Sequence, residues 1–330
     1  MDNTKILLEV KNLQMHFPVE KGFFSKNIKY VKAVDDVSFS VINGKTFGLV
    51  GETGCGKSTV GKCVLRVFRP TSGSICYNNQ EIATASDREL QPIRREIQLI
   101  FQDPYGSLDP RQSVFSILKE AFVSDRKQHS REEVNRRVRE LLSLVELSDE
   151  LRNRYPHEMS GGQRQRVAIA RAIACDPKLI VCDEPVSALD VSIQAQIINL
   201  FKRLQKQLGL TFLFIAHDLA VVKHIADEVA VMYLGNLVEI MDAEELYTHP
   251  LHPYSKALLS AVPITDYYVE QKRDRIILQG EVPSPIDSPS GCPFHPRCPF
   301  VKEICIIQKP SLKEYRPNHL VACHRVGEIN

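Results

Sequence analysis

The sequence predicts an α/β protein: a parallel sheet covered by helices and built around a phosphate-binding loop, with a loop-rich tail behind it. Three observations predict this. A glycine-rich stretch, GETGCGKST at residues 51–59, stands between an apolar strand and a helix. From Ser160 to about Ile240, strand-like and helix-like segments alternate, as parallel strands joined by covering helices do. After about His249 the texture changes, and EVPSPIDSPSGCPFHPRCP carries six prolines in nineteen residues.

The first hundred residues read as β-rich runs, ILLEV, DDVSFSV and IQLIF, around one strand-loop-helix unit. From about Ser113 to Leu147 the pattern turns helical, and its charged middle, DRKQHSREEVNRRVRE, is expected to be a solvated helix face. The helix after Asp190 has the clearest stripe, with Ile193, Ile197, Leu200, Phe201, Leu204 and Leu208 on one side and Gly209 at its end. The proline-rich tail has to be built from loops, which need some further restraint to stay ordered.

Composition sets limits on function. At 330 residues the chain is long enough for two or three units with cores of their own. With 43% hydrophobic and 25% charged residues it reads as an ordinary globular protein. A formal charge of +2 gives no support to a nucleic-acid-binding surface, so no nucleic-acid partner is expected. The start, MDNTKILLEV, lacks a basic region followed by an apolar core, and no signal peptide is expected. No apolar run approaches the roughly 20 residues that span a bilayer; the longest, around LTFLFIA, has strand length. The chain is expected to be soluble and cytoplasmic.

The loop at Gly51, Glu52, Thr53, Gly54, Cys55, Gly56, Lys57, Ser58 and Thr59 fits G-x-x-x-x-G-K-[ST], and TFGLV before it and KSTVGKCVLRVF after it supply the confirming context. Glycines let backbone N–H groups curl around phosphate oxygens, and the helix points its positive end at the same anion. Lys57 should reach the β- and γ-phosphates of ATP, and Ser58 should ligate Mg²⁺. In KLIVCDEP an apolar strand ends at Asp183, expected to hold the metal directly or through water. Glu184 is expected to be the general base for the attacking water. FLFIAHD repeats the arrangement and ends at His217, on the sheet edge where ligands of α/β proteins bind.

The stretch HEMSGGQRQRVAIARAIA, His157 to Ala174, resembles the signature of ATP-binding cassette (ABC) proteins. Ser160, Gly161, Gly162 and Gln163 open a helix and form a second anion-binding surface. In that family the second surface serves the ATP of a partner subunit, so two subunits sandwich two nucleotides head to tail. Further resemblances follow in family order: Gln102 in IFQDPYGSLDPR matches the glutamine loop, which senses metal and lytic water. Ser187 to Asp190, SALD, matches the loop crossing the dimer interface, and His217 matches the switch histidine. Phe17 in MHFP stands where an aromatic ring stacks on adenine, with Tyr30 as a rival. Met159 replaces the usual leucine of the signature. The resemblance implies a cassette over 1–248, with a RecA-like core, an antiparallel β subdomain and a helical subdomain at about 103–165. An extension over 249–330 follows it.

FQDPYGSLDPR, HPLHPYSKALLSAVP and the Pro/Cys-rich tail resemble ATPase subunits of bacterial dipeptide and oligopeptide importers, with nickel importers closely similar. This implies an ATP-hydrolysing subunit, peripheral on the cytoplasmic face of the cell membrane. Its partners would be two membrane permeases, a second ATPase subunit, identical or homologous, and, indirectly, an extracytoplasmic peptide-binding protein. A soluble ABC ATPase acting on DNA, ribosomes or iron–sulfur assembly is the competing reading. The single cassette, the near-neutral charge and the lack of long coiled-coil arms stand against it.

Of nine cysteines, four crowd the tail with spacing C-x5-C-x6-C-x17-C: Cys292, Cys298, Cys305 and Cys323. In a reducing compartment this favours a metal over disulfides. Zinc suits four thiolates, with His295, His319 and His324 as substitute ligands, yet structural zinc sites usually include a tight C-x₂₋₄-C pair. Wide gaps wrap more easily around an iron–sulfur cluster. Residue spacing leaves the two near balance. The resemblance adds weight to a [4Fe-4S] cluster, which tails of this pattern carry in peptide-importer ATPases.

Overall fold

The computed structural model describes residues 5–19, 29–123, 129–262 and 275–329. Twelve strands occur among them. The first six are β1 (Ile6–Val19), β2 (Lys29–Ile42), β3 (Thr46–Val50), β4 (Ser72–Tyr77), β5 (Gln80–Glu81) and β6 (Ile97–Ile100). The others are β7 (Leu179–Asp183), β8 (Thr211–Ala216), β9 (Glu228–Tyr233), β10 (Asn236–Asp242), β11 (Lys313–Arg316) and β12 (His319–Val321). Backbone contacts divide the chain into two compact units: Met1–Ile42 with Thr46–Thr84 and Ile215–Asn330, and Asn43–Lys45 with Ala85–Phe214.

In the first unit β1 pairs antiparallel with both β2 and β4, giving a sheet of order β2-β1-β4-β5. Register shifts along β1 and β2 mark bulges, which increase local twist. A second run of strands has the order β11-β12-β10-β9-β3, with β3 parallel to β9. Every residue of β3 is buried, as expected for an unalternating apolar strand covered on both faces. Phe47 of β3 stacks on Phe39 of β2 with ring centroids 4.8 Å apart. The described residues beyond 249 fold within this unit. The last two strands extend the sheet, β12 pairing antiparallel with β10 through Glu239 opposite Val321.

In the second unit β6 runs parallel to β7, and β8 lies on the far side of β7. The helix Val191–Leu208 buries Ile197, Ile198, Leu200, Phe201 and Leu204 and ends on Gly209 at φ +67°. Four of the six predicted stripe residues are thus buried; Ile193 is half-buried, Leu208 is 43% exposed, and Ile198 joins the buried face. The charged segment forms the helix Arg131–Leu144, opened by a capping box of Ser130 and Glu133; residues 125–128 of that segment lie outside the described residues. Ser86 and Glu89 form another box at the start of the helix Asp87–Glu96, where sequence reading placed only β-rich runs. Among the described residues no helix is long and apolar enough to cross a membrane.

Candidate functional site

The phosphate loop leaves β3 at Val50 and enters the helix Lys57–Val64 at Gly56. Gly56 has φ +112°, and a Cβ there would lie 2.0 Å from the Ala33 carbonyl oxygen, so only glycine fits. No side chain caps this helix, which leaves its first N–H groups to an anion. The loop is braced from outside: the Gly235 N–H donates to the Cys55 carbonyl at 2.8 Å. Lys57 is 4% exposed, and its Nζ donates to the carbonyls of Gly51 and Glu52 at 2.8 and 3.0 Å. Its third contact is the Cys55 sulfur at 3.8 Å, a weak acceptor. Burial holds the Cys55 thiol above its usual range, so it stays protonated beside this ammonium.

His217, just beyond β8, lies in the same unit as the phosphate loop and is exposed, while Asp218 caps the next helix by accepting from the Ala220 N–H at 2.8 Å. Phe17 stands opposite Val31 in the β1–β2 pair, and its ring meets Phe68 edge-on at 5.3 Å. Its rival Tyr30 stands opposite Pro18 and is 45% exposed.

The second unit brings two predicted catalytic residues together. Parallel pairing sets Ile100 of β6 against Cys182 of β7, so Gln102 and Glu184 leave neighbouring strands at equal height. Gln102 Nε2 donates to Glu184 Oε2 at 3.0 Å. Glu184 has φ +48°, a left-handed conformation that costs a non-glycine residue about 1–2 kcal/mol. Its carbonyl is pinned by the Ser187 hydroxyl at 3.1 Å and the Ser187 N–H at 3.3 Å. Asp183 ends β7 one residue earlier, and Asp190 takes the N-cap position of the helix Val191–Leu208.

Ser160 is the N-cap of the helix Gly161–Ile173. Its hydroxyl accepts from the Gln163 N–H at 3.3 Å, and Gln163 Oε1 accepts from the Ser160 N–H at 3.0 Å. The serine and glutamine of SGGQ thus close a capping box. A Cβ on Gly162 would come within 2.8 Å of Ile193 Cγ2, so this glycine is required for helix packing as well as for an open backbone.

Cys292 lies within electrostatic reach of the other three tail thiols. Burial first, and then the nearby charges of Cys323, Cys305 and Cys298, push Cys292 up to about 12. Cys298 is raised by burial and by Cys323 and Cys305, and Cys323 by burial and by Cys305. The Cys292 N–H donates to the Cys305 carbonyl at 2.8 Å. The expected metal-ligating set is nonetheless not shown. Among the described residues no three His, Cys, Asp or Glu side chains are grouped so as to hold a metal ion. Each proposed substitute ligand has a ring nitrogen engaged by a neighbouring group. His319 Nε2 bonds Glu239 Oε1 at 2.8 Å, His295 Nδ1 lies 3.0 Å from the Cys292 carbonyl, and His324 Nε2 lies 2.9 Å from the Gln308 carbonyl.

Comparison with known proteins fits this geometry. Residues 34–187 match the ABC transporter family, and residues 238–305 match the C-terminal region of oligopeptide/dipeptide transporters. The oligopeptide transport ATP-binding protein AppF of Bacillus subtilis (strain 168) is 51% identical over 98% of both chains. The oligopeptide transport ATP-binding protein OppF of Escherichia coli (strain K12) is 47% identical over 99% of this chain and 98% of its own. Among solved structures, the dimeric post-hydrolysis state of the ATP-binding cassette MJ0796 bound to ADP and Pi superposes with a TM-score of 0.63 at 29% identity. It covers 72% of this chain and 98% of its own.

Proposed function

Because this chain belongs to the oligopeptide-transport ATP-binding proteins of the ABC transporter family, we propose that it is the ATP-hydrolysing motor subunit of a peptide importer. The observation that carries the chemistry is the Gln102–Glu184 hydrogen bond at the ends of two adjacent parallel strands. Glu184 is the general base that takes a proton from the attacking water, and Gln102 orients it. Residues Gly51 to Thr59 wrap the phosphates, Lys57 supplies their counter-charge, and His217 contacts the γ-phosphate. Phe17 carries the adenine. Ser160, Gly161, Gly162 and Gln163 close on the nucleotide of a second cassette.

Ser58, Asp183 and Gln102 would hold Mg²⁺. A hydroxyl, a carboxylate and an amide oxygen suit a hard cation, and Gln102 keeps its Oε1 for this while Nε2 serves Glu184. When bound, Mg²⁺ neutralises charge developing on the phosphates.

ATP binding closes two cassettes head to tail, closure drives two membrane permeases, and hydrolysis resets them. The second cassette is an identical or homologous ATPase subunit. An extracytoplasmic peptide-binding protein delivers cargo to the permeases. The chain sits peripherally on the cytoplasmic face, through protein contacts, as a cassette over 1–248 with its extension over 249–330. Substituting Glu184→Gln tests the reading. Nucleotide binding should persist while turnover falls about 10²–10⁴-fold, the usual contribution of a general base. Hydrolysis near the wild-type rate would remove Glu184 from this role.

The tail thiols Cys292, Cys298, Cys305 and Cys323 hold a [4Fe-4S] cluster in this proposal, with zinc as the alternative. Cys298, Cys305 and Cys323 all act on Cys292, and a four-thiol donor set suits such a cluster. When bound, the cluster would supply a cross-link for a segment rich in proline.

A further inference from the structure

Glu52, the second residue of the phosphate loop, is held at three points, two of them by side chains from beyond residue 249. Its main-chain N–H donates to the Tyr254 hydroxyl at 3.0 Å. Its carboxylate receives Arg297 Nη1, 3.2 Å from Oε1 and 2.9 Å from Oε2. Its carbonyl, with that of Gly51, receives Lys57 Nζ. The Arg297 side chain is only 9% exposed, which strengthens a charge-assisted bond over one in water.

The groups that hold Glu52 are themselves fixed. Tyr254 is fully buried, and burial keeps its hydroxyl neutral by raising it above its ordinary range. Its ring packs on Tyr233 at 4.7 Å and on Phe294 at 5.4 Å, and Phe294 meets Tyr233 at 5.3 Å. Phe294 leads into the short turn His295–Arg297, so the same ring cluster anchors the turn that carries the guanidinium. Arg297 also lies 6.0 Å over the Tyr233 ring, a favourable place for a cation.

These anchors matter because of what the Glu52 carbonyl does. An ammonium has three donors. Two of those on Lys57 are taken by the carbonyls of Gly51 and Glu52, and the third faces only the Cys55 sulfur. That third donor is the one a phosphate oxygen can claim without breaking a strong bond. Its direction is set by the other two, and hence by where Glu52 is held.

We propose that Arg297, with Tyr254, is a positioning residue for phosphate binding: by fixing Glu52 it orients Lys57, so the loop's grip on ATP depends on the C-terminal extension. The inference rests on the ATP-binding reading of the loop. Neither residue touches the reacting atoms, so the effect belongs in nucleotide affinity and not in the chemical step.

The test uses the full-length protein. MgADP affinity is measured by calorimetric titration, and KM and kcat for ATP in the steady state, for wild type, Arg297→Ala, Arg297→Lys and Glu52→Gln. Arg297→Ala should weaken MgADP binding and raise KM by about 5–30-fold, with kcat within about threefold of wild type. Glu52→Gln, which leaves the arginine and its packing in place, should show the same split if Arg297→Ala fails to fold. Combining Arg297→Ala with Glu52→Gln should be no worse than either alone, because both remove one interaction. Arg297→Lys should recover part of the loss. MgADP affinities of Arg297→Ala and Glu52→Gln within about twofold of wild type would overturn the proposal, as would a fall in kcat at unchanged KM. Wild-type protein that binds no MgADP would overturn the ATP-site reading itself, and this inference with it.

Discussion

Glu239 fastens the chain beyond residue 249 to β10, and replacing it should loosen that attachment by an amount that can be counted. Its side chain is 0% exposed and is surrounded by three donors. Oε1 accepts from the Leu251 N–H at 2.7 Å and from His319 Nε2 at 2.8 Å, and Oε2 accepts from the His252 N–H at 3.1 Å. A carboxylate suits this place because it only accepts. In Glu239→Gln one oxygen becomes an NH₂. If the amide keeps its oxygen at the Oε1 position, the NH₂ confronts the His252 N–H; the opposite flip confronts two donors. Breaking a bond to a charged group and leaving a buried donor unpaired costs about 2–4 kcal/mol. That corresponds to a fall of about 5–10 °C in the melting temperature of the affected unit. The protein has no tryptophan, so calorimetry or far-UV circular dichroism at pH 7 is the practical assay. Removing the partner with His319→Ala should cost a similar amount, and the double substitution less than the sum, since the two share one interaction. A Glu239→Gln protein melting within about 1 °C of wild type would refute the reasoning.

Glu228 makes a prediction about pH. Burial, then the Asp242 carboxylate opposite it in the β9–β10 pair, raises its carboxyl to about 7 from an ordinary value of 4.5. Its folded form therefore holds a proton more tightly than its unfolded form. Its contribution is fully present below the ordinary value and is lost as pH rises from about 4.5 through about 7. Because the group is partly exposed, the loss is about 1–2 kcal/mol. Glu228→Gln should raise the melting temperature at pH 8 but not at pH 4; an equal change at both would refute the assignment. For the tail thiols, anaerobically purified protein should be brown, absorb broadly near roughly 400 nm and carry about four irons per chain, and Cys305→Ala should lose them. Colourless protein with one zinc per chain would exclude the cluster and leave the ATPase intact.

The parts of the fold that were legible in the sequence are those whose cause is local. The phosphate loop announces itself because its glycines, strand and helix are contiguous, and the helix after Asp190 because its apolar residues repeat every turn. The helix Asp87–Glu96 went unread because only Leu90 and Ile93 are buried and a helix-disfavouring Pro92 lies inside it, though the Ser86–Glu89 capping box was a usable signal. The left-handed Glu184 left no mark on the sequence, since its conformation is set by Ser187 and by its place beyond β7.

The tail shows the limit most clearly. Its prolines imply a need for restraint, and the thiols are the only local candidates for supplying it. The restraints in the structure are of another kind. Arg297 reaches Glu52 across 245 positions of sequence, and His319 reaches Glu239 across 80. Phe294 joins the rings of Tyr233 and Tyr254, and β12 pairs with β10. None of these has a short-range pattern, because each depends on surfaces that exist only after the sheet has formed. The consequence is functional as well as structural. A tail held by the thiols alone would be an appendage, whereas this one is bonded to the phosphate loop and to the sheet beside it. The segment that carries the thiols is therefore already joined to the residues that hold Lys57.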